Sequence, residues 1–427
     1  MKKIEKEKGE LLERLFSLQR FGIKPGLERT LKLAEKVDNP HLKFKSIHVA
    51  GTNGKGSVCG FITSILMEAG YKTGLYSSPH ILDFNERIRI NGKMISDEEV
   101  VEQTKKLLEY GEEIGATFFE ITTVLAFMHF ADNQVDFAVI ETGMGGRFDS
   151  TNIITPILSV ITAISLEHKE YLGDSIELIA AEKAGIVKQG VPVYVGSKDT
   201  KARKVFNEKA NTLNAELVSI NLKSIPRKPI IDDDLNMKFK IKDFVYISPL
   251  AGEHQLQNIV IAYDVIKLID SKIDEFTIMI GFKKVIENAG LFTRFQLVSK
   301  DPLIILDSGH NSEALECVVD TFKRSPYKSD SLIVLFSAMA DKDHHEMLKQ
   351  LKEISNVIYI TTPDTERAAD INILVNAAFS AGFQIVQKFD KSDKAFEKIY
   401  NMDANYLICG SFFLTSEFLK WHKEKFS

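Results

Sequence analysis

The sequence predicts an α/β protein of two domains. The first is a doubly wound, mostly parallel sheet with a P-loop and a small β subregion; a smaller Rossmann-like α/β domain follows. Three observations predict this. Short, almost uninterrupted apolar runs alternate with segments of helical periodicity, the mark of parallel strands buried on both faces. One strand–helix junction carries the glycine-rich stretch His48-Val-Ala-Gly-Thr-Asn-Gly-Lys-Gly-Ser57. The chain has 427 residues, more than one hydrophobic core usually supports.

In chain order, residues 3–37 read as helical, broken by a basic turn from Arg20 to Gly26 that contains Lys24-Pro25-Gly26. The run Ile47 to Ala50 reads as a strand. Beyond the glycines, Val58, Phe61, Ile62, Ile65, Leu66 and Ala69 fall on one helical stripe, and Gly70 stands at its C-terminal end. Thr73 to Tyr76 is a second strand, ending in Ser77-Ser78-Pro79-His80. The strand-like Arg87 to Ile90 meets the turn pair Asn91-Gly92, and Ser96 with Glu99 forms a helix-capping signature. A helix from Phe118 to Ala131 precedes the apolar strands Phe137 to Ile140 and Ile157 to Ile164. These two strands end in Glu141-Thr-Gly-Met-Gly-Gly146 and Ser165-Leu-Glu-His168. Val191 to Val195 follows a helix expected to end at Gly190.

From 215 to 248 the pattern shortens into alternating segments with Pro226, Pro229 and Asp232-Asp233-Asp234, read as the small β subregion. A helix from Gln255 to Ile269 returns to the first domain, and Leu291 to Asp301 is the join to the second. There Leu303 to Leu306, Leu332 to Phe336, Val357 to Ile360 and Tyr406 to Cys409 repeat the buried-strand pattern.

Bulk properties narrow the function. A net charge of −5 gives no nucleic-acid footprint, so an anionic substrate must meet local positive charge. Cys59, Cys317 and Cys409 are too few and too scattered for a disulfide framework or a zinc site. Met1 to Glu13 is densely charged and lacks the apolar core of a signal peptide. No run approaches the ~18 apolar residues of a membrane span. A cytoplasmic monomer is expected.

The loop is the strongest single signal. Strand, glycine turn and helix together point backbone N–H groups at an anion, Lys55 adds a charge, and Ser57 offers a hydroxyl to Mg²⁺. The spacing departs from G-x-x-x-x-G-K-[ST], because Gly51 lies close to Gly54 and Gly56 separates Lys55 from Ser57. Gly51–Ser57, Ser77–His80, Glu141–Gly146 and Ser165–His168 all follow strands, so one crevice can gather them. Their hydroxyl, carboxylate and imidazole groups suit a divalent ion. Taken singly, His168 also reads as a hydrogen-bonded structural histidine, and Glu141 as a helix cap.

Six motifs then occur in order: the loop; Ser77-Ser-Pro-His80 with Asn85-Glu-Arg-Ile88; Glu141-Thr-Gly-Met-Gly-Gly-Arg147; Ala181-Glu-Lys-Ala-Gly-Ile186; Ala251-Gly-Glu-His-Gln255; and Leu306-Asp-Ser-Gly-His-Asn311. Together they resemble folylpolyglutamate synthase, the folate member of the Mur ligase superfamily. The resemblance implies an ATP- and Mg²⁺-dependent ligase. ATP phosphorylates the γ-carboxylate of a reduced folate, and L-glutamate attacks the acyl phosphate. It implies an ATP-binding domain over 1–295 and a glutamate-ligase domain over 296–427. By the same resemblance Gly51, Thr52, Asn53, Gly54, Lys55, Gly56, Ser57, Asn258, Arg294, Asp307 and His310 bind ATP. Ser78, Glu141 and His168 surround the metal, with Lys183 joining them if carbamylated; Glu141, His168 and Lys183 are the catalytic set. Phe119, Glu120, Phe148 and Asp149 are expected near the folate, Asp149 hydrogen-bonding pterin nitrogens.

Each role has a plainer competitor. Lys183 also reads as a surface lysine paired with Glu182, the phenylalanines as core, and Asp341 and Asp343 as helix caps. Two departures stand out: Phe292-Thr293-Arg294 replaces the family's Pro-Gly-Arg, and Ser308-Gly309 replaces Gly-Ala. The alternatives are a dihydrofolate synthase acting on dihydropteroate, a cell-wall amino-acid ligase, and a nucleotide-dependent binding protein.

Overall fold

The computed structural model describes residues 2–18, 26–167, 169–328, 331–402 and 404–426. The basic turn around Lys24 lies outside them, as does His168. The chain divides into two units, Met1–Ile225 with Gln257–Gly290, and Pro226–Leu256 with Leu291–Ser427.

The first unit is built on eight strands: β1 (Lys45–Ala50), β2 (Thr73–Tyr76), β3 (Ile88–Ile90), β4 (Lys93–Met94), β5 (Phe137–Glu141), β6 (Leu158–Ile161), β7 (Val193–Val195) and β8 (Leu217–Ser219). Their order is β4-β3-β2-β5-β1-β6-β7-β8. β2, β5, β1, β6, β7 and β8 run parallel; β3 and β4 form an antiparallel edge closed by the Asn91-Gly92 turn. β1, β2, β5 and β6 are buried almost throughout, which is why they read as continuous apolar runs. Val49 pairs with Glu141 and Ala50 with Ile161, so the ends of β5, β1 and β6 lie level. That register sets Gly51, Thr142 and Thr162 side by side.

Helix Lys55–Glu68 is more deeply buried than its single apolar stripe implies: Ser57 through Leu66 are all covered. The segments Glu275–Lys283 and Val285–Ala289 pack on it, with Ser64 Oγ donating to Gly281 O at 2.6 Å. Gly70 closes it with Gly70 N–H bonded to Met67 O and Tyr71 N–H to Leu66 O. Ser96 and Glu99 form the expected capping box of helix Asp97–Ile114. The helix before β7 ends at Lys183 rather than Gly190, passing into a 3₁₀ turn at Ala184–Ile186.

The second unit holds a three-stranded antiparallel sheet, β9 (Ile230–Ile231), β10 (Met237–Ile241) and β11 (Phe244–Ser248). Its larger sheet contains β12 (Gln296–Lys300), β13 (Leu303–Leu306), β14 (Leu332–Phe336), β15 (Val357–Thr361), β16 (Ile385–Phe389) and β17 (Asn405–Cys409). Their order is β12-β13-β17-β14-β15-β16, with only β12 antiparallel among these. Of the expected β subregion 215–248, Leu217–Ser219 is instead β8 at the edge of the first sheet, and residues from Pro226 group with the second unit, unlike the expected 1–295 and 296–427 division. Ile231, Leu235 and Ala251 are buried in one core with Phe295, Leu303, Ile305 and Leu315, and strands this short gain stability only by such packing.

Candidate active site

The glycine-rich loop is held from behind by its own strand neighbours. Thr52 N–H donates to Ala163 O at 2.8 Å, Thr162 Oγ1 donates to Asn53 O at 2.8 Å, and Thr52 Oγ1 is bonded to both Ser165 N and Ser165 O at 3.2 Å. Gly54 is the helix N-cap in the left-handed conformation, φ 85°, and a Cβ there would stand 2.3 Å from Asn258 Oδ1. Only glycine satisfies both the torsion and the contact. Asn258, on helix Glu253–Ile269, thus lies against the loop. The N–H groups of the first helical turn start at Lys55 and carry the positive end of the helix dipole.

The strand ends bring other expected residues to the loop. Glu141, buried at the end of β5, accepts the Ser78 N–H at 3.2 Å. Its oxygens lie 3.7 and 3.8 Å from where a Gly56 side chain would begin. Lys183 is the last residue of helix Ile176–Lys183 and is 4% exposed. Its Nζ donates to Gly51 O at 2.7 Å, and burial, helped by the Lys55 charge, brings its pKa down to about 7. The surface pairing with Glu182 does not form: Glu182 bonds Arg147 instead, and Lys183 points inward. Lys55 Nζ donates to Thr52 O at 3.1 Å. Ser57 is buried in the same turn.

These groups fit a magnesium ion. Carboxylate and hydroxyl oxygens are the hard donors it prefers, and it usually takes only one or two carboxylates beside phosphate oxygens and water. Among the described residues no group of three or more His, Cys, Asp and Glu side chains forms a metal cluster. Glu141 with Ser57 and Ser78 is the donor set the loop offers.

The expected folate residues behave differently from one another. Asp149 is turned inward: Oδ2 accepts the N–H groups of Gly143 (2.8 Å) and Met144 (2.9 Å), and Oδ1 accepts from Thr151 N–H and Oγ1–H. Thr151 Oγ1 in turn meets His48 Nε2 at 2.8 Å. The carboxylate holds the Gly143–Gly146 turn in shape, because the short loop folds back over it, rather than reaching outward to a pterin. Glu120 is likewise committed, capping its own helix through the Thr117 N–H and pairing with Arg29 at 3.0 Å. Phe119 is half-buried, and its ring would meet a Gly143 side chain at 2.5 Å, so it lies on the glycine turn. Phe148 is exposed under the Arg147 guanidinium. Asp343 is the N-cap of helix His344–Leu351.

In the second unit, Arg294, Asp307 and His310 come together. Asp307, buried at the end of β13, accepts the Phe295 N–H at 2.8 Å and the Gly309 N–H at 2.6 Å. Burial raises its pKa and the nearby Arg294 charge opposes the rise. The Arg294 guanidinium lies 5.2 Å over the Phe412 ring, and His310 packs against the same ring. Thr293 and Phe295, on either side of Arg294, are left-handed, at φ 56° and 50°. Such backbone costs a non-glycine residue about 1–2 kcal/mol.

Sequence reasoning missed Thr162, Thr151 and His48, which brace the two glycine loops. For His48 and Thr162 the available signal was a polar residue inside or at the end of an apolar strand run; Thr151, in the 3₁₀ turn Ser150–Ile153, carried none.

The Mur ligase middle domain matches residues 49–266, and the Mur ligase glutamate ligase domain matches 293–412. The chain is 36% identical over 426 residues to the dihydrofolate synthase/folylpolyglutamate synthase of Bacillus subtilis, covering 94% of this chain and 96% of that one. This chain belongs to the folylpolyglutamate synthase family of Mur ligases. Solved folylpolyglutamate synthase-type structures superpose over nearly its full length. Escherichia coli FolC in complex with DHPP and ADP gives a TM-score of 0.84 at 28% identity, covering 98% of each chain. The bifunctional Yersinia pestis enzyme complexed with AMPPNP and Mn ion gives 0.83 at 28%, covering 97% of this chain and 98% of that one. As a folylpolyglutamate synthase-family member, the chain is an ATP-dependent ligase.

Proposed function

We propose that this ligase adds L-glutamate to the γ-carboxylate of a reduced folyl-glutamate. The convergence of Lys55, Ser57, Ser78, Glu141 and Lys183 on one anion-binding loop carries the reading. A folate carboxylate oxygen attacks the γ-phosphorus of ATP, ADP leaves, and an acyl phosphate forms. The glutamate amine attacks that carbonyl carbon, loses a proton, and the intermediate expels phosphate as the amide forms. Phosphoryl transfer asks the protein chiefly for positioning and charge neutralisation. The loop N–H groups and Lys55 hold the β- and γ-phosphates. Ser57, Ser78 and Glu141 would hold Mg²⁺, which would supply charge neutralisation to the phosphate oxygens; His168, outside the described residues, is kept with them on the sequence motif alone. Arg294, Asp307 and His310 are read as further nucleotide residues, with Asp307 acting through the backbone of the Arg294 and His310 segments.

Lys183 has the setting for carbamylation. Near neutral pH a large share of its amine is unprotonated, and its attack on CO₂ forms an N–C bond and releases a proton. The product is an anion, which would relieve the repulsion between the two lysines and would offer oxygens to a bound metal.

The test is ADP release by the full chain with tetrahydrofolyl-glutamate, L-glutamate and Mg²⁺. Release must require both the folate and the glutamate. ADP formed without folate, or none formed with both present, overturns the reading. Dihydropteroate in the folate's place measures the dihydrofolate synthase reaction in the same assay.

A further inference from the structure

We infer that Thr293, Ser308 and Thr415 form a hydroxyl latch that holds the turn around Arg294 and fixes the direction of its guanidinium. The inference rests on the reading of Arg294 as a nucleotide residue. Its starting point is the backbone: two non-glycine residues in left-handed conformation, one of them β-branched, flank the arginine. Such backbone persists only where its surroundings over-determine it.

The surroundings do so here. Thr293 is fully buried, and all three of its polar atoms are engaged. Its N–H donates to Gln296 Oε1 at 2.8 Å, its O accepts the Ser308 N–H at 3.0 Å, and its Oγ1 accepts the Ser308 hydroxyl. Ser308 Oγ continues to Thr415 Oγ1 at 3.0 Å, again wholly buried. On the other side of the arginine, Phe295 N–H is held by Asp307. Thr415 lies in the first turn of helix Phe412–Phe426, whose Phe412 ring is the platform under Arg294. One helical turn therefore anchors both the far end of the hydroxyl chain and the arginine's resting surface.

Thr293 and Ser308 sit on separate segments, and their hydroxyls bond each other. A glycine at 293 would adopt its left-handed conformation without strain and leave that side of the turn loose. The hydroxyl pair accepts strain and holds the turn in one conformation. Thr293, Ser308 and Thr415 are positioning residues, acting through Arg294.

A double-mutant cycle on the full chain tests this. Ser308→Ala leaves the Thr293 hydroxyl buried and unpaired, and is expected to lower Tm by several degrees. Thr293→Gly, which removes the strain at 293 and the orphaned hydroxyl, should improve Tm on the Ser308→Ala background more than in the parent chain. Additive Tm shifts overturn the latch. In kinetics, Thr293→Gly is expected to raise KM for ATP several-fold, whereas Thr293→Ser, which keeps the hydroxyl, keeps the parent value. On an Arg294→Ala background, Thr293→Gly should change KM no further; a further rise overturns action through the arginine. Arg294→Ala with unchanged KM for ATP would instead overturn the nucleotide role of Arg294, a failure that the Tm cycle separates from failure of the latch.

Discussion

At the residue scale, the site turns on two lysines kept at different depths. Lys183, enclosed at the end of its helix and repelled by Lys55, gives up its proton near pH 7. Lys183→Ala should lower kcat by about 10²-fold or more, the scale of removing one charged group from a preorganised site. Formate or acetate should restore part of the loss if the lysine works as a carbamate. A ¹³C resonance from labelled CO₂, present in the parent and missing from the variant, checks the same point; wild-type rates in Lys183→Ala would sink it. The sequence showed where Lys183 lies along the chain but not its burial, since a lysine beside a glutamate reads equally as a surface pair. What turns it inward is the close approach of Gly146 to the Glu182 and Lys183 backbone, a contact between distant segments. Asp149 misled in a related way: a carboxylate beside a glycine turn looks available to a ligand until the turn's own N–H groups are counted.

At the element scale, the buried parallel strands were the most legible features, because burial on both faces leaves them uniformly apolar. Edge strands β12 and β16 went unread for the same reason inverted: both are largely half-exposed and carry no continuous apolar run. The loop-to-helix junction was legible down to its glycines, and it supports a sharp expectation. Gly54→Ala forces a left-handed alanine against Asn258, at about 1–2 kcal/mol for the torsion alone. The alanine relaxes in the free loop and ATP binding must restore the turn, so affinity measured by calorimetry should fall about tenfold, 1.4 kcal/mol being a factor of ten. Parent-like affinity would show that the loop does not need this conformation to hold phosphate.

At the scale of the whole molecule, the histidines set an acid limit. Burial lowers the pKa values of His41, His129, His48, His80 and His254, the last three to about 3, 4 and 4. Unfolded histidines protonate near 6.5 and these folded ones do not, so their contribution to stability is full above 6.5 and is lost as pH falls through the folded values. Buried Asp149 and Asp307, with raised pKa values, work in the opposite direction at lower pH. Tm should therefore drop between pH 6.5 and 5, and His48→Gln should shallow that slope. A flat Tm across the interval would contradict the neutral state of these rings.

The chain passes between its two units at 225/226, 256/257 and 290/291. No single peptide bond therefore separates two complete folding pieces. A fragment starting at 296 would lack Ile231, Leu235 and Ala251 from its core, and the complementary fragment would carry that three-stranded sheet without the surface it packs on. Tolerance to gene splitting, circular permutation or a protease nick is thus decided by which of three crossings is cut, and the boundary most visible in the sequence is only one of them.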